Sequence, residues 1–299
     1  MPHRPLPLSH LRSAGRRRPQ ARRAVVRVGV LAASVASLFS VGTLAPALAA
    51  SAGPDDAATH FRALVHPHGN ARVTAAVLDL DGTGRGPAVY GDDTPYDTAS
   101  IVKVDILAAA LLRAQDTGHG LTAQERAQAE VMIERSDNEA ASALWRRIGL
   151  APGLAAANKR LGLTSTKGGP GARWGLTRTT SSDQIRLLRA VFDTKSASPG
   201  SSTPLSASSR TYLRTLMTRV VREQAWGVSA AAGSGWALKN GWLRRTTTGL
   251  WDVNSVGQVT ANGRHYLVAI LSDGNTSMKD GISLVERAAR AAVSSATAH

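Results

Sequence analysis

Cysteine does not occur in this chain of 299 residues. Its absence excludes disulfides, thiolate metal sites, a cysteine nucleophile and a lipid-anchored cysteine. The sequence also lacks a G-x-S-x-G nucleophile elbow, an H-E-x-x-H zinc helix and a phosphate-cradling G-x-x-x-x-G-K-[ST] loop. Asp79-Leu80-Asp81-Gly82 begins like a calcium loop but has no closing glutamate, and His66-Pro67-His68 reads as a solvent-facing turn. No metal and no cofactor are therefore expected. Acidic residues are missing from the first 27 residues and from everything between Glu139 and Asp183.

The first of these gaps explains the charge. Lys+Arg number 36 against 21 Asp+Glu, a net charge of +15, but eight of the arginines fall within residues 1–27. Downstream the excess is only +7, which removes most of the case for a nucleic-acid partner and leaves none expected. With 43% hydrophobic residues, the remainder can build a folded core.

The basic start is followed by Val28 to Ala45, eighteen residues without a charge, then Pro46 and the small-x-small tripeptide Ala47-Leu48-Ala49. Basic, apolar and cleavage-like segments in that order predict a secretory signal peptide over 1–49. Eighteen residues also reach the lower limit of a membrane anchor, but a run rich in Ala, Ser and Gly that ends at such a site favours cleavage. The expectation is a secreted, extracytoplasmic protein starting near Ala50, with no stable membrane span. Export would use the Sec route, or the Tat route if Arg22-Arg23 is a twin-arginine signal.

Apolar periodicity in the rest predicts a helix at Asp55–Val65, strands at Arg72–Leu80 and Pro87–Tyr90 joined by an Asp81-Gly82 hairpin turn, and a strong helix at Ser100–Ala114. Helices follow at Ala123–Arg135, Glu139–Ile148, Leu154–Leu161, Ser181–Phe192 and Tyr212–Val221. A Ser/Pro-rich loop spans 195–209. Strands are then expected at Trp236–Trp242, Leu250–Val259 and His265–Leu271, with a closing helix at Ser283–Val293. Strands at both ends must pair to bury their faces, so the helical middle is an insertion. The fold class is α+β: a five-stranded, mostly antiparallel sheet with flanking helices and an inserted all-α lobe. The α/β lobe would comprise 55–96 and 225–299, and the all-α lobe 97–224.

Three short patterns carry chemistry. In Ser100-Ile101-Val102-Lys103, positions i and i+3 of a helix share a face, so Ser100 Oγ and the Lys103 amine can meet. The surrounding apolar residues would desolvate the lysine, lower its proton affinity and make it a base beside a serine nucleophile. Ser136-Asp137-Asn138 is the second pattern, although Ser136 and Glu139 could equally form a capping box. Lys239-Asn240-Gly241, on an apolar strand, can offer a cation and open backbone to a carboxylate. The spacings between the first members are 36 and 103 residues.

In this order, these three resemble the S-x-x-K, S-D-N and K-T-G motifs of class A β-lactamases and penicillin-binding proteins, and the resemblance covers roughly 55–293. It implies that Ser100 is the acylated nucleophile, that Lys103 accepts its proton, and that Ser136 passes a proton to the leaving nitrogen. Asn138, Lys239, Asn240, Gly241 and Trp242 would bind substrate. In that assignment Lys239 attracts a carboxylate, and the N–H groups of Ser100 and Trp242 form an oxyanion hole. Arg244 or Arg245 would assist with the carboxylate. Two departures stand out: Asn240 replaces the motif's Thr or Ser, and the loop Thr164–Leu176 lacks the Glu that activates the deacylating water in the family. The resemblance thus implies a monomeric serine hydrolase that is acylated by β-lactams or related amides and deacylates with difficulty. Its substrates would be small molecules or peptidoglycan peptides. A D-Ala-D-Ala peptidase or esterase, or a sensor without turnover, are the alternatives.

Overall fold

The sheet is built around a strand whose side chains are apolar on both faces. In Arg264–Asn275, every residue from Tyr266 to Leu271 is fully buried. Leu267, Ala269 and Leu271 face one hydrophobic cluster, and Tyr266, Val268 and Ile270 face the other. A strand covered by helices on both sides needs no polar alternation, because period two only decides which cluster each side chain joins.

The computed structural model describes residues 54–82, 86–194 and 204–297. The segment read as a signal peptide and most of the Ser/Pro-rich loop lie outside these residues. In chain order the main elements are α1 (Pro54–Leu64), β1 (Arg72–Asp79), β2 (Ala88–Tyr90), β3 (Tyr96–Asp97), α2 (Val102–Asp116), α3 (Ala123–Glu134), α4 (Asn138–Ile148) and α5 (Leu150–Leu161). They are followed by β4 (Arg178–Thr179), α6 (Ser181–Phe192), α7 (Ala207–Thr218), β5 (Gly235–Arg244), β6 (Trp251–Ala261), β7 (Arg264–Asn275) and α8 (Met278–Thr297). The five-stranded sheet runs β2-β1-β7-β6-β5, and all its pairings are antiparallel. The first and last strands of the chain therefore do meet, with Ala75 opposite Ile270.

On one face, α1 and α8 pack through Phe61, Leu284, Val285, Ala288 and Ala292. On the other lies α2, whose residues Val102 to Leu112 are all buried, surrounded by α3 to α7. A helix apolar on every side belongs at the centre of a lobe. No helix among the described residues is long and apolar enough to cross a membrane.

Four local readings change. Asp81-Gly82 is not a tight hairpin turn: the first pairing back onto β1 is Ala88 with Val77, and Asp79 Oδ1 instead accepts from the N–H groups of Asp81 and Gly82. Helix α7 begins at Ala207, inside the segment read as loop, because Ser206 accepts from Ser209 N–H as its N-cap. The two-residue strands β3 and β4, which pair with each other, are too short to leave a periodic signal. Ser100 lies in a single 3₁₀ turn, Ala99–Ile101, before α2 rather than within the α-helix.

Candidate active site

That turn is built under strain and held from two sides. Ala99 has φ of 46° and Ser136 has φ of 58°, in the left-handed region that non-glycine residues seldom occupy. Strain of this kind persists only where neighbours fix the backbone. At the Ser100 turn, β6 supplies Asn254, whose Nδ2 donates to Asp97 O at 2.9 Å and Thr98 O at 3.1 Å while its Oδ1 accepts from Ser272 N–H. From β5 comes Gly241: a Cβ there would lie 2.7 Å from Ser100 N and from Thr98 O. Only glycine lets the sheet edge press so closely on the backbone that carries Ser100.

Lys103, the second residue of α2, is completely buried. Its Nζ donates to Ser136 O at 2.6 Å, Ser136 Oγ at 3.0 Å and Asn138 Oδ1 at 2.8 Å. The indole of Trp174 lies over the same amine, 4.8 Å from Nζ to the ring centroid. Burial lowers the Lys103 pKa to about 7, against a smaller opposite pull from Asp137. Among the described residues no hydrogen bond joins Nζ to Ser100 Oγ; the amine is drawn to the Ser136–Asn138 segment. A neutral amine frees a lone pair, so the contact with Ser136 can run as hydroxyl donating to nitrogen once the proton is gone.

The rival role for Ser136 fails. Asp137, not Ser136, caps α4 by accepting from Ala140 N–H at 2.8 Å. Ser136 sits one residue earlier, its left-handed backbone turning the hydroxyl toward Lys103.

On β5, alternation separates the third motif. Lys239 and Gly241 face the helical lobe, and Lys239 is fully buried with Nζ donating to Asn240 O at 3.0 Å. Burial and the neighbouring Lys103 hold its pKa well below the ordinary lysine value. Asn240 points to the opposite face, where its Nδ2 donates to Gln224 O at 2.7 Å and Trp226 O at 2.9 Å. Asn240, expected to bind substrate, thus has both of its amide hydrogens engaged by main-chain carbonyls on that face. The Trp242 side chain lies on that face too, against Trp226, 5.9 Å between ring centroids. Only its backbone is placed at the sheet edge, because β5 is the outermost strand and pairs on one side only. Neither arginine left open by the sequence is free: Arg244 Nε donates to Gly249 O, and Arg245 is bound to Asp97 with Asp252 close by. Burial raises the Asp252 pKa to about 7 despite Arg245.

The acid-free loop is tightly constructed. A Cβ at Gly168 would meet Ala151 Cβ at 2.7 Å, and one at Gly169 would lie 2.0 Å from Arg173 O. Trp145 Nε1 ties the loop to α4 by donating to Gly171 O at 2.8 Å. Buried Asp183 anchors its start, accepting from Ser165 N–H and Thr166 Oγ1 at 2.8 Å each. Trp174, in the loop's last turn, donates from Nε1 to Ser142 Oγ at 3.1 Å. Sequence reasoning missed Trp174 and Asn254. Neither left a signal: Asn254 sits in a strand that also carries Asp252, Ser255, Gln258 and Thr260. Among the described residues no cluster of three or more His, Asp or Glu is placed to hold a metal ion.

No curated protein matches the chain in sequence. Solved structures do. The TLA-1 extended-spectrum β-lactamase superposes with a TM-score of 0.69 at 15% identity, covering 82% of this chain and 99% of its own. A class A β-lactamase from Bacteroides cellulosilyticus DSM 14838 gives 0.68 at 16%, covering 83% and 100%. PBP-A gives 0.65 at 21%, covering 79% and 93%. The sequence pattern described as the "Beta-lactamase enzyme family" matches residues 115–296, beginning just after the Ser100–Lys103 pair. With more than half its length matched and the sheet and helices of class A β-lactamases and PBP-A reproduced, the chain belongs to the β-lactamase enzyme family.

Proposed function

We propose that this protein is an exported active-site-serine hydrolase that forms an acyl-enzyme with β-lactams, or with the D-Ala-D-Ala-like amides they mimic, and releases the acyl group slowly. The observation that carries this reading is the buried Lys103 amine, with its pKa near 7, bonded to Ser136 one turn from Ser100 and facing a loop without a carboxylate.

In this reading Ser100 Oγ attacks the carbonyl carbon as its proton passes to the Lys103 amine. The N–H groups of Ser100 and Trp242 hold the oxyanion, each such donor being worth about 10²–10³-fold in rate. Ser136 delivers a proton to the leaving nitrogen, and Lys239 receives the substrate carboxylate. Burial and the neighbouring Lys103 lower the Lys239 pKa, and a bound carboxylate would raise it again. Asn138, occupied with Lys103, meets a substrate amide through its NH₂.

The missing loop base favours a penicillin-binding or sensing role over rapid β-lactam destruction. Fluorescent penicillin labelling alongside nitrocefin turnover tests both parts. Stoichiometric labelling with slow turnover is expected. Absence of labelling refutes acylation, and turnover as fast as labelling refutes slow release.

A further inference from the structure

Trp174 touches the amine at the centre of the site, yet no motif assigns it a part. Its indole covers Lys103 Nζ at 4.8 Å, and Nε1 donates to Ser142 Oγ at 3.1 Å. Ser142 Oγ in turn donates to Asn138 O at 2.8 Å, so the ring is tethered to the segment that also receives the amine. The charged groups facing Lys103 are Asp137 beside α4 and Lys239 on β5; the Trp174 loop contributes no carboxylate. The side of the amine that faces this loop therefore meets an aromatic wall.

We propose that Trp174 is a positioning residue that sets the lifetime of the acyl-enzyme, by clamping the Lys103 amine toward Ser136 and Asn138 and keeping water off its loop-facing side. This rests on the acyl-enzyme reading above. Hydrolysis of that ester needs one water: its oxygen bonds to the acyl carbon, the Ser100 Oγ–carbon bond breaks, and one water proton reaches Ser100 Oγ. Lys103 is the buried base available to carry that proton. With the indole in place, water cannot approach it from the loop side.

The ring acts on Lys103 in two opposed ways. Its face favours the ammonium form, whereas its exclusion of water favours the neutral amine. Trp174→Leu keeps an apolar side chain beside the amine and loses the π face, so the pH midpoint of acylation should fall by about one unit. Trp174→Ala admits water, so the midpoint should rise instead. A merely structural role would not move the two variants in opposite directions.

The test follows acylation and adduct decay by intact mass with penicillin G, for the wild type, Trp174→Phe, Trp174→Leu and Trp174→Ala. Decay is compared at about pH 9, two units above the Lys103 midpoint, where the amine is neutral. Trp174→Phe, which retains a ring, should hold the adduct nearly as long as the wild type. Trp174→Ala should lose it on the order of tenfold faster, with hydrolysed penicillin released. If Trp174→Ala does not fold, the midpoint shift in Trp174→Leu decides. An adduct equally long-lived in Trp174→Ala, or an unshifted midpoint in Trp174→Leu, overturns the role of Trp174 alone. A wild type that forms no adduct overturns the acyl-enzyme reading, and this inference with it.

Discussion

Acidification should switch this site off through one residue. Lys103 is fully buried, and desolvation brings its pKa from 10.5 to about 7. Below that midpoint the neutral fraction falls tenfold per pH unit, so at about pH 5 only roughly 1% of the amine can accept the Ser100 proton. The acylation rate should therefore drop about a hundredfold between the plateau and pH 5. The same shift bears on stability, with a definite sign. The unfolded chain keeps the lysine proton up to 10.5 whereas the folded chain gives it up near 7, so folding is penalised fully below 7 and progressively less as pH rises to 10.5. Lys103→Met should abolish acylation and stabilise the fold in acid by several kcal/mol more than it does near pH 10. Acylation rates by intact mass across pH, with urea unfolding of both proteins, supply the data. A midpoint above about pH 9, or a Lys103→Met effect independent of pH, would refute desolvation as the source of the base.

Three further perturbations separate the parts of the architecture. Gly241→Ala puts a methyl 2.7 Å from Ser100 N, so acylation should fall by orders of magnitude while the sheet, seen by far-UV circular dichroism, stays intact. Asn254→Leu removes both donors from the Asp97 and Thr98 carbonyls, and should cost about 1–3 kcal/mol in chemical denaturation together with slower acylation. Asp105, buried in α2, accepts from Asn158 Nδ2 at 2.9 Å and is pushed up to about 8 by burial. Since the folded chain holds that proton from 3.8 up to about 8 while the unfolded chain does not, stability should decline as pH rises through this window. Asp105→Asn should flatten the decline, which denaturation at pH 4, 6 and 8 would reveal.

The sheet and most helices were legible because their signals are local. Thr180 before Asp183 marks the start of α6 at Ser181, and the apolar run Tyr266–Leu271 marks a strand buried on both faces. Boundaries moved where a cap decides them, as when Ser206 starts α7 earlier than its apolar stripe suggests. The S-x-x-K spacing pointed to a serine and a lysine sharing a face. It could not show that Ser100 sits in a strained 3₁₀ turn, nor that the amine leans toward Ser136, because both depend on Asn254 and Gly241 arriving from β6 and β5. Asn240 reads as a motif member, yet strand alternation sends its amide to the opposite face. Trp174 was invisible, since its contact with Lys103 spans 71 residues and no pattern.

The central claim, that Ser100 is acylated and the acyl group lingers, is tested most directly by intact mass after mixing with penicillin G. The wild type should gain one penicillin per chain and keep it long after free drug is removed, whereas Ser100→Ala should gain nothing. An unmodified wild type, or an adduct of equal yield on Ser100→Ala, would contradict the account.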